Sequence, residues 1–342
     1  MPFASKILMR NVVASFALMM LTIPVHAQDK PPNSVHEQDE LLNGAQSLLP
    51  WAYALNDPAG EPVQDDGLPK RVPGSTRSFT LAEIRNLYLP PDWHPGDHPE
   101  MPDIVARGRN PGVYACAYCH LPNGQGRPEN TSLTGLPAEY IVQQMADYKA
   151  GLRRSSEPKS IPLSFMHAIG LAATESEVAQ AAAYFSSLTP RQWIRVIETD
   201  TVPETKVAGW MYVAVEGGGV EPIGQRIIEM PEDLERTELR DSRSGFIAYV
   251  PTGSVDKGRE LVRTGGNGKS QPCAVCHGDD LRGLGPVPPL AGRSPSYLVR
   301  QLYDLQTGVR RGRWSPLMQA AVANLSVEDF VAIAAYAASL EP

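Results

Sequence analysis

The fold of this chain is determined by two pentapeptides, CAYCH at residues 116–120 and CAVCH at residues 273–277. Both have the pattern C-x-x-C-H, the attachment motif of c-type haem. Two thiols on one helical turn can add to the two vinyl groups of a porphyrin, and the next residue then presents its imidazole to the iron. The predicted attachment residues are Cys116, Cys119, Cys273 and Cys276, and the predicted iron ligands are His120 and His277. The sequence therefore predicts two covalently attached haem c groups.

Other uses of paired cysteines fit the sequence less well. A structural zinc site made of two C-x-x-C pairs has roughly 15–20 residues between the pairs, whereas Cys119 and Cys273 are much further apart. A thioredoxin-like pair lies at the start of a helix in a βαβ unit and needs no histidine after it. Two disulfides are the ordinary expectation for four cysteines in an exported chain, but the histidine after each pair indicates haem.

The sequence around the two motifs repeats. Residues 140–151 and 297–308 each begin 20 residues after the histidine of the preceding motif. Both segments have apolar residues at helical spacing and end at a glycine, as a left-handed C-terminal cap prefers. Each repeat continues to a final helix that begins with a capping sequence, at residues 174–177 and 326–329. We therefore expect each repeat to be one small helical domain around one haem.

Met166 and Met318 stand at equivalent positions before the final helix of each repeat. A c-type haem needs a sixth ligand, and His/Met ligation raises the reduction potential because a neutral thioether favours ferrous iron. A lone methionine is otherwise a core residue, and His167 is an alternative ligand beside Met166. The residue equivalent to His167 in the second repeat is Gln319, so the alignment favours Met166 and Met318 as distal ligands.

Residues 1–27 have the pattern of an export signal. Lys6 and Arg10 precede an apolar run over residues 12–25, and small residues then allow cleavage after Ala27. The run is shorter than the ~20 residues that span a bilayer, so an uncleaved anchor helix is the weaker interpretation. The net charge of -7 over 342 residues argues against nucleic-acid binding. We expect a periplasmic protein with no stable membrane insertion after cleavage.

The second half in particular resembles dihaem cytochromes of the c4 type, which consist of two tandem class I cytochrome c domains. The residues that carry the resemblance are 273–278, 289–292, Tyr297, Gln301, Leu302, Gly308, Arg310, Met318 and Tyr336. It covers roughly residues 103–190 and 253–342. The resemblance implies a mainly α fold with covalent haems at both motifs. The axial pairs that it implies are His120 with Met166 and His277 with Met318.

The parts of the chain outside the resemblance have a different character. Residues 191–250 contain strand-like runs at 193–197, 210–213 and 246–250, with a glycine turn at 217–219. This segment is predicted to be a small β-rich insert that docks the two haem domains, meets a partner or acts as a spacer. The predicted organisation is a signal peptide at 1–27, a loop-rich N-terminal extension at 28–102, cytochrome c domains at 103–190 and 251–342, and the insert at 191–250.

The first repeat departs from the family pattern at two positions. Leu121 replaces the glycine that usually follows the motif, and Thr131 stands where the second repeat has Pro288. Members of the family commonly use a proline carbonyl at this place to orient the proximal histidine. We therefore expect a different carbonyl to orient His120, and the first haem to be less tightly enclosed than the second.

Residues 92–101 combine two histidines with carboxylates and a methionine. Such a set could bind copper or another metal, but the nearby prolines make a helix implausible. If His98 or Met101 were an axial ligand, Met166 would instead be a core residue. The favoured interpretation is a rigid loop that covers the edge of the first haem.

The resemblance implies transfer of single electrons between redox proteins. With both irons six-coordinate, no open site remains for a substrate, so we expect a carrier and not an enzyme. The expected donors are a bc1-type complex or a periplasmic dehydrogenase, and the expected acceptors are terminal oxidases. One alternative is the cytochrome subunit of a larger dehydrogenase or oxidase complex. Another is a dihaem peroxidase, which needs a displaceable distal ligand; dihaem thiosulfate dehydrogenases use a distal cysteine, for which no spare Cys exists.

Overall fold

Helices dominate the first half of the chain. A computed structural model describes residues 49–56 and 64–342, so the predicted signal peptide and part of the predicted N-terminal extension lie outside the described residues. Single 3-10 turns lie at Pro50–Ala52 and Pro95–Asp97. The helices before the first strand are α1 (Leu81–Ile84), α2 (Asp103–Ala106), α3 (Cys116–His120), α4 (Ala138–Lys149), α5 (Ile161–Ala172) and α6 (Glu175–Ser187).

Short strands follow, and helices return in the second half. The strands are β1 (Ile194–Glu198), β2 (Thr201–Pro203), β3 (Thr205–Ala208), β4 (Met211–Ala214), β5 (Val220–Pro222), β6 (Ile228–Pro231) and β7 (Phe246–Val250). The remaining helices are α7 (Leu234–Glu238, between β6 and β7), α8 (Ser254–Thr264), α9 (Ala274–His277), α10 (Pro295–Gln306), α11 (Ser315–Val322) and α12 (Val327–Ser339). The three strand-like runs of the sequence thus become β1, β4 and β7.

The strands form one three-stranded sheet and two separate pairs. In the sheet, of order β1-β7-β6, β1 runs parallel to β7 and β6 runs antiparallel to it. The parallel register places Ile194 opposite Phe246. Both side chains are buried with Trp193 and with Ala338 of α12, so the sheet packs on the second half. The pairs β2 with β5 and β3 with β4 are antiparallel.

The core of the second half is built around the alanine-rich helix α12. Helix α8 crosses α12 at Gly258, where an added Cβ would lie 2.0 Å from the backbone oxygen of Ala332. Only a glycine permits this approach. Phe330 of α12 is fully enclosed. Residues 49–53 of the N-terminal segment add Leu49 and Tyr53 to the same core.

The first half has the same plan with fewer buried side chains. Its core contains Phe185 of α6, Val105 of the single-turn helix α2 and Ile141 of α4. The predicted capping sequences form in both halves: the hydroxyl of Thr174 accepts from the backbone N–H of Glu177, and that of Ser326 from Asp329. No single helix among the described residues is long and apolar enough to cross a membrane; α11 and α12 together reach that length and composition only as a bent pair.

Candidate haem sites

The first motif forms helix α3, which ends at a buried histidine. His120 is 7% exposed, and its Nδ1–H donates to the backbone oxygen of Thr131 at 2.9 Å. Burial lowers the pKa of His120 to about 4, so the ring is neutral at pH 7. With Nδ1 engaged, Nε2 is the nitrogen left to bind a metal. The carbonyl of Thr131 thus has the role that the sequence assigned to a non-proline carbonyl, and this prediction is confirmed.

The second motif repeats the arrangement with a proline. His277 is 5% exposed, and its Nδ1–H donates to the backbone oxygen of Pro288 at 2.9 Å. Burial lowers the pKa of His277 as well. In both halves the carbonyl lies 11 residues after the histidine. The two halves therefore present the same neutral, oriented imidazole.

Leu121 adopts the backbone conformation of the glycine that it replaces. Its φ and ψ are 62° and 156°, against 84° and 154° for Gly278 in the second half. This region is strained for a residue with a Cβ. The side chain of Leu121 is 3% exposed, and burial of a leucine side chain contributes about 1.5–3 kcal/mol. The turn after the motif is thus kept in both halves, at different cost.

A largely apolar cavity connects the first motif with Met166. The cavity holds about 720 Å³ of atom-free space, including the part open to solvent. Its lining includes Cys116, Cys119, His120, Met166, Phe165 and Ile169. Two thiols and an imidazole on one wall, and a thioether within an apolar lining, are the groups that a covalently bound His/Met-ligated haem requires. Burial raises the pKa of the Cys116 thiol to about 12.

Met166 and its neighbour His167 have different surroundings. Met166 also lines the adjoining cavity that contains His120, Tyr140 and Tyr297. The ring of His167 instead packs edge-on against Tyr148, with 5.4 Å between ring centroids, and it is absent from the lining of either cavity. This difference favours the thioether as the distal group of the first half.

The corresponding residues of the second half lie on α9 and α11. Cys273 and Met318 are half-buried and pack against the second-half core, whereas Cys276 is exposed. Met318 lies on α11, the helix before the final helix of the second half. Met166 lies on α5, which has the same place in the first half. None of the four cysteines is paired in a disulfide.

A segment of the insert covers the first motif. The guanidinium of Arg240 lies 3.7 Å above the ring of Tyr118 and donates to the Tyr118 backbone oxygen at 2.6 Å. Asn123 donates to the Ser242 backbone oxygen at 2.7 Å. At the equivalent place in the second motif, Val275 is 70% exposed, so the first motif is the more enclosed of the two, contrary to the expectation from the sequence. No pattern in the sequence indicated this contact, because its partners are 122 residues apart.

The histidines of residues 92–101 are paired with carboxylates. His94 Nε2 lies 2.9 Å from Oδ1 of Asp241, on the insert, and both side chains are buried. His98 Nε2 lies 3.2 Å from Oδ1 of Asp92. Met101 packs against the first-half core. Within residues 49–56 and 64–342, no group of three or more His, Cys, Asp or Glu side chains is arranged to hold a metal ion.

Arg153 and Arg310 cross the interface between the halves, and each bonds the tyrosine of the other half. We call these two residues the exchanged arginines. Arg153 of the first half donates to the hydroxyl of Tyr297 at 2.9 Å. Arg310 of the second half donates to the hydroxyl of Tyr140 at 3.0 Å and to Oε1 of Gln144 at 2.9 Å. The backbones of the two arginines form an isolated antiparallel bridge. Polar contacts therefore join the two halves here, and each half supplies a cation to the other.

Comparison with known proteins finds c-type cytochromes. The chain is 40% identical over 77 residues to cytochrome c-554(548) of Halomonas halodenitrificans, a match that covers 22% of this chain and 93% of the relative. It is 29% identical over 135 residues to cytochrome c4 of Stutzerimonas stutzeri, covering 35% of this chain and 63% of the relative. No family model matches the chain.

A longer match and a solved structure are similar to this chain at lower identity. The thiosulfate dehydrogenase electron acceptor of Stutzerimonas stutzeri is 25% identical over 236 residues, covering 68% of this chain and 82% of the relative. The structure of cytochrome c4 from Acidithiobacillus ferrooxidans has 21% identity and a TM-score of 0.44, covering 66% of this chain and 98% of that one.

Proposed function

We propose that this chain, which belongs to the cytochrome c family and is a dihaem cytochrome c4-like protein, carries single electrons between redox proteins of the periplasm. Two covalently attached haem c groups supply the one-electron chemistry. The observation that carries the proposal is the repeated geometry of His120 and His277, each buried and each held by a carbonyl 11 residues later.

The chain's own residues perform three tasks in this function. Cys116, Cys119, Cys273 and Cys276 anchor the two porphyrins. His120 and His277 bind the irons through Nε2, because Nδ1 is engaged by a carbonyl. Met166 and Met318 would complete the coordination and, as neutral ligands, would favour the reduced state. With a histidine and a methionine bound to each iron, no position would remain for a substrate, so the protein is proposed to be a carrier and not an enzyme.

The partners are proposed to be a dehydrogenase or bc1-type complex on the donor side and a terminal oxidase on the acceptor side. One match, over 236 residues, is to a protein named as the electron acceptor of a thiosulfate dehydrogenase. That likeness supports a periplasmic dehydrogenase as the donor. Arrangement as the cytochrome subunit of such a complex is the second form of the same function.

Haem content and redox behaviour test the proposal. The full chain, produced with a c-type cytochrome maturation system, should carry two haems per chain, and the double variant Cys273→Ala/Cys276→Ala should carry one. Both haems should be low-spin, and both should accept and return electrons in a spectroelectrochemical titration without turning over hydrogen peroxide. A high-spin haem or peroxide turnover would contradict the carrier function and support a peroxidase.

A further inference from the structure

Arg293 belongs to the second half, but its side chain donates hydrogen bonds to the backbone of the first half. It lies in the loop between α9 and α10, and it is 7% exposed. Its Nη1 donates to the backbone oxygen of Ser132 at 2.7 Å, and its Nη2 donates to that of Thr134 at 2.8 Å. The two ends of the guanidinium thus bind two carbonyls of the first half, which are 161 and 159 residues away in the chain.

The two carbonyls that Arg293 binds belong to residues 132–134, which directly follow the carbonyl that orients His120. Thr131, whose oxygen accepts from His120 Nδ1, immediately precedes Ser132. Tyr140 and Tyr297 are near enough to act on the charge of Arg293, and both line the cavity that contains His120 and Met166. The cation is therefore beside the proximal loop and close to the wall of the first haem cavity.

No carboxylate neutralises this cation in the described part of the chain. Burial lowers the pKa of Arg293 to about 10, and the groups that oppose this effect are the two tyrosines. The guanidinium therefore stays charged at neutral pH. Asp97 lines the polar cavity beside Arg293, but both of its oxygens accept from Arg243 at 2.7 Å.

The arginine has no counterpart in the first half. Gly135 and Gly292 follow their motif histidines at the same distance and have φ of 67° and 66°, so the residues after them are equivalent. These residues are Leu136 in the first half and Arg293 in the second. Leu136 is a buried core side chain. The second half therefore donates these two hydrogen bonds to the first half, and Leu136 cannot donate equivalent side-chain bonds in return.

The charge has a definite effect on a redox centre nearby. Ferric haem carries one more positive charge than ferrous haem, and a buried cation in a medium of low dielectric constant disfavours the additional charge. Burial and nearby charge are among the means by which a protein sets a haem potential. We propose that Arg293 is a positioning residue that the second half supplies to the first. The charge of Arg293 raises the reduction potential of the first haem, an inference that rests on the proposed function.

Two variants separate the effect of the charge of Arg293 from the effect of its two hydrogen bonds to the first half. Arg293→Gln keeps a donor for the carbonyls and removes the charge, whereas Arg293→Lys keeps the charge and loses the fork. The potential of each haem is measured in the full holoprotein by redox titration, with the two haems distinguished by their own haem-methyl NMR signals. Arg282→Met is the control, because it removes an exposed arginine of the second half.

Arg293→Gln should lower the potential of the first haem by more than that of the second, while Arg293→Lys should keep most of the wild-type value. The inference is overturned if Arg293→Gln leaves the first potential unchanged or raises it, or if both haems shift equally. Equal loss in both variants would also overturn it, because that result indicates loosening of the loop and not loss of charge. Haem content and reversible reduction of the wild type test the proposed function separately, before any variant is made.

Discussion

The guanidinium of Arg310, in the second half, donates to the hydroxyl of Tyr140, in the first half, at 3.0 Å. The reciprocal bond joins Arg153 to Tyr297 at 2.9 Å. Each arginine lies 13 residues after the tyrosine of its own half and yet bonds the tyrosine of the other. The duplicated halves are thus joined by exchanged, charge-assisted hydrogen bonds.

Loss of one exchanged bond should be measurable as loss of stability. A hydrogen bond to a charged group contributes about 1.5–3 kcal/mol, and Arg310 keeps Gln144 as a partner. Tyr140→Phe should therefore lower the free energy of unfolding by about 1.5 kcal/mol, measured by denaturant titration of the haem-loaded protein with circular dichroism. Tyr249→Phe, at a hydroxyl that makes no hydrogen bond in the described structure, should have little effect. Equal effects of the two changes would show that the exchanged bond is not stabilising.

The distal ligand of the first haem can be identified by two neighbouring substitutions. Met166 lines the same cavity as His120, whereas His167 packs against Tyr148. Met166→Ala should halve the weak long-wavelength absorption band of Met-ligated ferric haem, since Met318 still supplies the other half. His167→Ala should leave the band intact. The opposite pattern would make His167 the ligand and Met166 a packing residue.

The capping carboxylate of α12 should make stability depend on pH in the acid range. Burial alone would raise the pKa of Asp329, but hydrogen bonds from Ser326, Lys269 and Lys257 lower it to about 2, from an ordinary 3.8. A depressed pKa stabilises the fold above the ordinary value, and this contribution disappears as the pH falls from 3.8 towards 2.

Asp329→Asn should therefore cost about 2 kcal/mol at pH 7, with a smaller difference from the wild type below pH 3.8. The measurement is chemical unfolding at a series of pH values. Glu328→Gln is the matched control, because Glu328 shares Lys257 but is 58% exposed; it should cost no more than about 1 kcal/mol. A constant difference at every pH would contradict the role of ionised Asp329.

The turn after the second motif is less strained with glycine than with a residue that has a Cβ. Gly278 has φ of 84° and ψ of 154°, a region in which a residue with a Cβ costs roughly 1–3 kcal/mol. An added Cβ would approach no atom closer than 3.4 Å, so the cost is one of backbone conformation. Gly278→Ala should lower the unfolding free energy by about 2 kcal/mol, measured by denaturant titration. Gly96→Ala, where an added Cβ meets nothing within 4 Å, should change it little.

Local signals in the sequence predicted much of each half. The motif helices, the caps at Thr174 and Ser326 and the strands β1, β4 and β7 follow from residues that are neighbours in the chain. The alignment of Thr131 with Pro288 also predicted that a non-proline carbonyl would orient His120. These features depend on spacing and local hydrogen bonds, which a repeat displays twice.

The contacts between segments were not predictable in this way. Arg293 with Ser132, Arg240 with Tyr118 and the exchanged arginines each join residues more than 100 positions apart. Arg153 and Arg310 repeat at one spacing from the tyrosine of their own half, but only the packing of the halves shows that each bonds the tyrosine of the other. The pairing of His94 with Asp241 likewise depends on where the insert folds.

The parallel pairing of β1 with β7 has a consequence for how such a chain can change length. The backbone oxygen of Trp193 accepts from the N–H of Phe246 at 2.8 Å, so residues 194–245 depart and return at nearly one point. Because both ends of this segment meet at one backbone hydrogen bond, its loops can change length without displacing Trp193 or Phe246.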